Sequence, residues 1–412
     1  MRPPPKLILV ANHWHFDVFG GAYKLASEFA LYCSQKGYSV YYVSAVSETG
    51  TSHSDTPSSV HMRRYLLPKA SGEGKSLLNF ITHIHRSRKE IKKILKEINA
   101  DQAVVINGHS GLQYVGALLG ARRRPGVRRV LSVHSPMAQE YQAERVGERK
   151  NLRDFLAVHL LRMTERYCYR NSDVIQCDSE YTRRLLENDF PKETSGRLVV
   201  CPGCVDLKRF SLSSESKLTL RKKLKNPVWD TKEPIFFCLR RLVPRMGINS
   251  LIGAAAWLRT QTLGKKSFKV IIGGDGSLQE SLKKLAQDLH LEGIVCFLGR
   301  VPEEELPLHY QAADCFVLPT RELECFGLPI LEAFACGTPV IATPVGAIPE
   351  VLGPFSKVSL AEGASPESIG KAMLRFLDAK APSREELAQY AAKFESEKIL
   401  AQLASLVMGR DI

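Results

Sequence analysis

The segment Cys315–Pro339 constrains this chain most, because it joins an apolar strand, two carboxylates and a short helix. After the apolar run comes Glu324-Cys-Phe-Gly-Leu-Pro-Ile-Leu-Glu332. Pro329 suits the first turn of a helix, and Gly337 suits the left-handed position at its end. This order of strand, loop and helix is the building unit of a parallel α/β sheet.

The two glutamates of this segment lie on either side of a predicted helix start. We expect the N–H groups of Gly327, Leu328 and Ile330 to be unpaired there and to form a phosphate site. Glu332 lies about one turn inside the helix, and its side chain leans back toward the start. One carboxylate can then face a sugar while the other faces a ribose diol, with a diphosphate on the amides between them, which is the order of groups in a nucleotide-sugar. Two glutamates around a turn are also common on solvated surfaces, and their spacing alone does not separate the two interpretations.

The longer pattern Glu-x-Phe-Gly-Leu-x-x-x-Glu-Ala-x-Ala-x-Gly-x-Pro-Val closely resembles the signature of the family 4 retaining glycosyltransferases of the GT-B fold. The resemblance is strong over residues 200–352 and loose before them. It implies an α/β fold of two doubly wound Rossmann-like domains facing each other across a cleft. The implied division is an acceptor-binding domain over 1–204, a nucleotide-sugar-binding domain over 205–383, and a helix over 384–412 that crosses back to the first domain.

The resemblance also implies roles for individual residues. Glu324 would orient the sugar, Glu332 would hold the ribose, and the backbone at position 301 would pair with the base. The catalytic residues that we expect are Glu324, His134 and Arg241. The donor-binding residues that we expect are Glu332, Phe326, Gly327, Leu328, Arg245, Gly274, Arg300, Val301, Gly20 and Gly21. The acceptor-binding residues that we expect are Asn12, His13, His15 and His109.

One segment departs from the family pattern. The family reads Gly-Arg-x-x-x-x-Lys-Gly where its Arg and Lys bind the diphosphate; here Arg241 matches, but Arg240 replaces the glycine and Met246 replaces the lysine. A charge-assisted contact is worth about 1.5–3 kcal/mol. We therefore expect Arg245 or Arg240 to compensate: Arg245→Ala should lower the transfer rate by tenfold or more, and Met246→Lys should restore much of that loss. The alternative is a catalytically weakened nucleotide-sugar-binding protein or scaffold.

The first half of the chain opens like a doubly wound domain. An apolar strand over 6–11, a loop with Gly20-Gly21, a helix over 22–36 and a strand over 38–43 follow in order. Two later strands end in His109 and His134, and ligands of parallel sheets gather at carboxyl ends of strands. A lone histidine at such a place is more often a hydrogen-bonded structural residue, whereas the family resemblance implies a role for His134 at the donor sugar and acceptor. Between the two predicted domains, Cys201 and Cys204 form a Cys-x-x-Cys pair, which allows a redox motif, but no second pair supports zinc.

Charge is concentrated in the first half. Residues 1–205 carry 30 Lys and Arg against 19 Asp and Glu, within a net charge of +14 for the whole chain. The densest basic runs lie at 86–96 and 122–129. They indicate either solvated surfaces or attraction to an anionic membrane or acceptor. A nucleic-acid partner is disfavoured, because no aromatic residues or binding motif accompany the charge.

These observations combine into one predicted activity. No apolar run reaches the length of a membrane helix, and the first residues lead into a strand rather than a signal peptide, so we expect a cytoplasmic protein, at most peripheral at the inner membrane face. No Asp-x-Asp occurs, so we expect no metal and no cofactor. We expect retaining transfer of a hexose, from a UDP-glucose-type donor, to a hydroxyl acceptor in polysaccharide, glycolipid or other glycoconjugate synthesis. A phosphorylase is disfavoured, because no lysine context for pyridoxal phosphate is recognisable.

Overall fold

The computed structural model describes residues 5–15, 21–47, 58–67, 77–145, 151–262, 265–379 and 381–409. The chain forms two compact units. The first unit comprises Met1–Ala138, Lys150–Gly203 and Glu397–Ile412, and the second comprises Gln139–Arg149 and Cys204–Ser396. Each unit holds one parallel sheet with helices between its strands, which confirms the predicted α/β class of two doubly wound domains.

The first unit is built on a seven-stranded sheet with the order β3-β2-β1-β4-β5-β6-β7. Its strands are β1 Lys6–Val10, β2 Val40–Ser47, β3 Val60–Leu67, β4 Val104–Gly108, β5 Val127–Val133, β6 Val174–Cys177 and β7 Leu198–Val200. Its helices are α1 Gly21–Gln35, α2 Leu77–Glu97, α3 Gly111–Ala121, α5 Leu152–Arg170, α6 Glu180–Asp189 and α7 Pro191–Thr194. The helix α4, Met137–Ala143, begins in the first unit, but its residues from Gln139 onward belong to the second unit. The winding direction reverses between β1 and β4, so their carboxyl ends flank the position where such sheets bind ligands.

The strand β3 has no counterpart among the strands predicted from the sequence. In the structure β2 runs on to Ser47, and β3 pairs with it in parallel from Val60 to Leu67. Arg63 and Arg64 lie within β3, which is an edge strand. Charged residues on an edge strand discourage pairing with other chains. Because they interrupt the apolar run, the strand is difficult to predict from the sequence.

The two basic runs of the first unit have different environments. The run at 86–96 lies on α2, where Ile91 and Ile94 are buried and the basic side chains occupy the exposed face. In the second run, the Arg124 guanidinium donates to the carbonyls of Leu95 and Ile98 at the end of α2, at 3.1 and 3.2 Å. That run is therefore partly structural, because a cation is favourable at a helix C-terminus.

The second unit is built on a five-stranded parallel sheet with the order β10-β9-β8-β11-β12. Its strands are β8 Ile235–Leu239, β9 Lys269–Gly273, β10 Val295–Gly299, β11 Cys315–Leu318 and β12 Val340–Ala342. Its helices are α8 Lys217–Lys223, α9 Ile248–Gln261, α10 Gln279–Asp288, α11 Leu306–Ala312, α12 Leu328–Ala335, α13 Ile348–Leu352, α14 Ser356–Ser359, α15 Pro366–Asp378 and α16 Arg384–Ala391. None of the helices in the described ranges is long and apolar enough to cross a bilayer.

The prediction of a single helix over 384–412 is wrong, because two helices occupy the described part of this range. The helix α16 ends at Ala391, and α17 spans Ser396–Met408. Between them Glu395 is extended, with φ −56° and ψ 134°. The Val205 amide donates to the Phe394 carbonyl at 2.9 Å, and the Ser396 amide donates to the Val205 carbonyl at 3.0 Å. This strand-like bridge takes the amides that a continuous helix would need.

A close approach of α2 and α3 leads to a stability prediction. A Cβ added at Gly116 would lie 1.9 Å from Ser87 Oγ and 2.5 Å from the Ile84 carbonyl oxygen, and the latter belongs to a rigid helix backbone. Gly116→Ala should therefore destabilise the first unit by about 1–3 kcal/mol, although alanine is the better helix former. Urea unfolding followed by circular dichroism measures this. Gly363→Ala is the control, since its nearest neighbour is Ser368 Oγ at 3.7 Å; equal midpoints for both variants would contradict the prediction.

Candidate active site

The loops after three neighbouring strands of the second sheet lie against one another. β8 pairs with β9 on one side and with β11 on the other, so the carboxyl ends of all three meet at one edge. The Arg240 amide donates to the Gly273 carbonyl at 3.1 Å, and the Arg321 amide donates to the Arg245 carbonyl at 2.8 Å. Each loop is therefore fixed to its neighbour through the backbone.

Two glycines make this close approach possible. Gly274 has φ +123°, and a Cβ there would lie 1.9 Å from the Arg240 carbonyl oxygen. Gly247 has φ +72°, and a Cβ there would lie 1.8 Å from the Pro319 carbonyl oxygen. Only glycine fits both the backbone conformation and the space. Gly274, expected at the donor site, thus supports the loop that carries Arg240.

Glu324, the expected catalytic carboxylate, is held by two side chains. Its Oε2 accepts from the Arg240 guanidinium and lies 3.3 Å from Thr320 Oγ1. The side chains of Arg240 and Glu324 are only 10% and 12% exposed. Arg240 therefore neutralises Glu324 in the structure. Arg240 is one of the two arginines that we expected to compensate for the missing lysine at position 246, and its charge is paired with Glu324 instead.

The helix α12 begins at the expected place, with Gly327 as N-cap at φ +99°. However, the Ile330 amide donates to the Gly327 carbonyl at 2.9 Å. The prediction of an unpaired amide at Ile330 is therefore wrong: this bond closes the first turn, and Pro329 has no N–H to offer. The amides of Gly327 and Leu328 remain the candidates for binding a phosphate at this helix start.

Glu332 lies inside α12 and is only 9% exposed. Its Oε2 accepts a hydrogen bond of 3.0 Å from the hydroxyl of Tyr310, which is fully buried. Burial first, and then the Glu332 carboxylate, raise the pKa of Tyr310 well above its usual value, so the phenol remains a donor. Phe326 contributes to the core instead, and its ring packs 6.3 Å from that of Phe394.

Two arginines lie next to this edge, in the loop after β8. Arg245 is mostly buried, and it donates to the Leu323 carbonyl at 3.0 Å in the loop that leads to Glu324. Burial lowers the pKa of its guanidinium. Arg241 is half exposed and contacts the Glu144 carboxylate at 3.4 Å. The expectation that Arg245 provides a second cation near this loop therefore agrees with its position, while its role remains a prediction.

Met246 has a different environment from that of a phosphate-binding residue. Its side chain is 4% exposed and belongs to the buried apolar cluster that includes Leu242, Ile248 and Leu251. A lysine here would place its amine in that cluster at a large desolvation cost. The structure thus gives no support to the expectation that Met246→Lys would restore activity.

Arg300 and Val301 come directly after β10, the outermost strand of this sheet on the side of β9. Arg300 is exposed, whereas Val301 is partly buried against the core of the second unit. A Cβ at Gly273 would lie 2.9 Å from Val301 Cγ2, so the end of β9 and the residue after β10 are in close contact. Both positions belong to the same strand-end edge as Arg240 and Gly274.

In the first unit, Asn12 follows β1 at the point where the winding direction reverses. The Gln113 amide donates to Asn12 Oδ1, and Asn12 Nδ2 lies 3.4 Å from the Tyr23 hydroxyl. His13 Nδ1 lies 3.3 Å from the Ala45 carbonyl oxygen. These polar side chains are therefore positioned by neighbouring elements.

His15, Gly20 and Gly21 were also predicted to lie at the site, and Cys201 and Cys204 were considered for a redox motif. His15 is buried, and its backbone amide donates to Ser27 Oγ at 3.0 Å. Gly21 is the first residue of α1, and Gly20 lies outside the described residues. Cys201 and Cys204 are both buried and form no disulfide, and burial raises the pKa of Cys201 to about 12, which does not favour a redox role.

The two strand-end histidines of the first unit form one hydrogen-bonded chain. His109 Nδ1 and His134 Nε2 are 2.9 Å apart, and the rings stack with centroids 5.1 Å apart. His134 Nδ1 lies 2.9 Å from Asp178 Oδ2, and His109 Nε2 lies 2.9 Å from Asn107 Oδ1. Burial, and then the charge of His134, lower the pKa of His109 well below its usual value. Both ring nitrogens of His134 are thus engaged.

The orientation of Asn107 decides where the protons lie in this chain. Its Nδ2 faces Ser132 Oγ at 3.1 Å and the Val130 carbonyl at 3.4 Å, so its Oδ1 accepts from His109. With that amide orientation, His109 donates from Nε2 to Asn107 and accepts at Nδ1 from His134 Nε2, while His134 Nδ1 faces Asp178.

The sequence analysis missed several polar residues around these sites. Some follow strands and some lie on helices, and none belongs to a motif that we used. They are Asn107, Gln113, Glu140, Glu144, Asp178 and Tyr310. Asp178 is the one with a usable signal, because it directly follows β6 and so lies at the carboxyl edge of the first sheet.

Comparison with known proteins gives family and fold. Residues 221–394 match the family model described as Glycosyl transferases group 1, and residues 19–209 match Glycosyltransferase Family 4. The chain is 36% identical over 150 residues to the GDP-mannose-dependent alpha-(1-6)-phosphatidylinositol monomannoside mannosyltransferase of Mycobacterium tuberculosis. That alignment covers 36% of this chain and 37% of the relative, so the chain matches little more than a third of its length.

Two solved structures share the fold across nearly the whole chain. Sucrose-phosphate synthase from Thermosynechococcus elongatus superposes with a TM-score of 0.78 at 20% identity, covering 97% of this chain and 98% of that one. HepE of Anabaena, in complex with UDP and glucose, gives a TM-score of 0.70 at 17% identity, covering 98% and 99%. At these identities the likeness concerns the fold.

The mostly buried pair of Arg240 and Glu324 leads to a prediction. Arg240→Met leaves a carboxylate without a counter-charge and should lower the free energy of unfolding by about 3 kcal/mol. Adding Glu324→Gln should recover at least half of that loss, because the uncompensated charge is then gone. Urea unfolding followed by tryptophan fluorescence measures both. Lys283→Met, from an exposed pair with Glu280, is the control and should cost under about 1 kcal/mol. Additive losses in the double variant would contradict the predicted coupling.

Proposed function

Because the chain belongs to the family 4 glycosyltransferases of the GT-B fold, we propose that it transfers a hexose from a nucleoside diphosphate sugar to a hydroxyl acceptor. In this reaction the bond from the anomeric carbon to the diphosphate breaks, a bond to the acceptor oxygen forms, and the acceptor loses its proton. The diphosphate leaves with added negative charge, so the site must offer cations and N–H donors there.

One observation carries this proposal: arginines, a helix start and a buried carboxylate converge at one strand-end edge of the second unit. Arg245 is bonded to the loop that holds Glu324, and α12 begins three residues after Glu324 at Gly327. Glu332 lies one turn further along, in reach of a ribose from the same helix. This arrangement provides the order sugar, diphosphate and nucleoside that a donor requires.

The donor and the stereochemistry are finer parts of the proposal. We expect retention at the anomeric carbon and no need for a metal ion. A UDP-glucose-type donor is the first that we propose to test, and HepE was solved with UDP and glucose. The mycobacterial relative is named for GDP-mannose, which makes this the second donor to test. Its named acceptor, a phosphatidylinositol mannoside, supports a glycolipid acceptor for this chain.

The test is a transfer assay with UDP-glucose and GDP-mannose, a lipid-linked sugar acceptor and EDTA. NMR of the glycoside should show the donor's anomeric configuration, and activity should persist with EDTA. Glu324→Gln should lower the rate at least about a hundredfold, as expected when a group that acts in the transition state is removed. An inverted product, or activity that magnesium restores after EDTA, would contradict the mechanism. Donor binding without transfer would instead favour the scaffold alternative.

A lipid acceptor requires contact with a membrane surface, and we propose α5 for this contact. Five of the eleven exposed large hydrophobic side chains in the described residues lie on this helix. They recur at helical spacing along one face: Leu152, Phe155, Leu156, Met163 and Tyr167. Exposed arginines flank them at positions 153, 162, 166 and 170. An apolar face bordered by cations suits a bilayer that contains anionic lipids, whereas a second copy would bring like charges together.

Vesicle binding tests the membrane proposal. The double variant Phe155→Ser/Leu156→Ser should reduce co-sedimentation with vesicles containing anionic phospholipid at least about tenfold, since each side chain contributes about 1.5–3 kcal/mol on burial. Val358→Ser is the matched control, because Val358 is 62% exposed on the second unit. Equal binding by both variants, or binding independent of anionic lipid, would contradict this role of α5.

A further inference from the structure

Six charged side chains of the second unit form one balanced cluster around the loop after β8. The guanidiniums are those of Arg240, Arg241 and Arg245, and the carboxylates are those of Glu140, Glu144 and Glu324. Glu140 and Glu144 belong to Gln139–Arg149. This segment is part of the second unit, although the residues before and after it in the chain belong to the first unit. All three positive charges thus already have carboxylate partners within the unit.

The contacts of Glu140 fall on both arginines that we propose for the diphosphate. Its Oε1 lies 3.4 Å from Arg245 Nη2 and 3.7 Å from Arg241 Nη2. Glu144 Oε1 lies 3.4 Å from Arg241 Nη1. A donor that binds the same guanidiniums would bring at least two further negative charges to a cluster with no net positive charge. Some carboxylate must then move away, because like charges at such distances repel.

We propose that Glu140 and Glu144 set the donor affinity of this site: they hold the charges of Arg241 and Arg245, and the donor diphosphate displaces them. This inference rests on the proposed donor function, and it concerns residues outside the family motif. The carboxylates act as exchangeable partners, so their removal strengthens donor binding. A residue that contacted the sugar or the ribose would have the opposite effect.

The geometry indicates which carboxylates exchange. Glu324 is 12% exposed and is held by Arg240, which is equally buried. Glu140 and Glu144 are 32% and 25% exposed, and their contacts of 3.4–3.7 Å are long for charge-assisted bonds. Water can replace their arginine partners at little cost, so these two leave before Glu324.

The experiment is calorimetric titration with free UDP, GDP and ADP, without acceptor. Glu140→Gln/Glu144→Gln should bind the preferred nucleotide about fivefold or more tightly than the parent, since the partly exposed pair of Arg241 and Glu144 alone accounts for up to about fivefold. The gain should shrink as salt is raised from 50 mM to 500 mM, values chosen to span roughly a threefold change in screening length. Glu385→Gln is the matched control, because it removes the charge of an exposed glutamate in α16 of the same unit. Its affinity should equal that of the parent.

The outcomes separate this inference from the proposed function. Unchanged or weaker binding by Glu140→Gln/Glu144→Gln, with normal binding by the parent, overturns the exchange while leaving the donor function intact. A gain that Glu385→Gln reproduces also overturns it, because the effect would then come from overall charge. If neither parent nor variants bind any nucleoside diphosphate, the proposed donor function itself fails. Glu332→Gln serves as the reference for a direct nucleotide contact and should weaken binding.

Discussion

The functional edge of the second unit depends on one constraint: a guanidinium that is largely removed from water needs a carboxylate beside it. Arg240 meets this requirement through Glu324, and the two side chains are almost equally buried. The backbone fixes the pair, because Gly274 allows the neighbouring loop to approach the Arg240 carbonyl within contact distance. Neither loop can move far without separating two charges in a region of low dielectric, which costs several kcal/mol. The carboxylate that we propose as catalytic is therefore positioned before any donor arrives.

The alternation of strands and helices could be predicted because parallel strands are buried on both faces and show as continuous apolar runs. Residues 269–273 and 315–318 are examples, and each is a strand in the structure. Two features could not be predicted. β3 carries Arg63 and Arg64 as an edge strand, so its composition resembles a surface loop. The break before α17 depends on pairing between Val205 and residues 394–396, which is a long-range contact without a local signal.

At the site, the motif from Glu324 to Glu332 predicted those features that depend only on residues close together in the sequence. The start of α12 at Gly327 and the place of Glu324 ahead of it follow from turn and helix-start residues. Partners from distant parts of the chain were beyond reach, such as Tyr310 on Glu332 and Arg240 on Glu324. From the sequence alone, methionine at position 246, where the family has lysine, predicts the loss of a contact to the diphosphate. In the structure Met246 joins the core, and the neighbouring Arg245 donates to the Leu323 carbonyl. That Arg245 takes over the role of the lysine stays a prediction.

The histidine chain of the first unit limits what His134 can do. A general base needs a ring nitrogen that is free to accept the proton of an acceptor hydroxyl. Both nitrogens of His134 are engaged, one by Asp178 and the other by His109, and the stacked rings leave little rotational freedom. If His134 acts in transfer as we expect, it acts through its fixed position or its backbone. Because His109 is buried and its pKa is lowered, it stays neutral and can hold His134 in this orientation without competing for a proton.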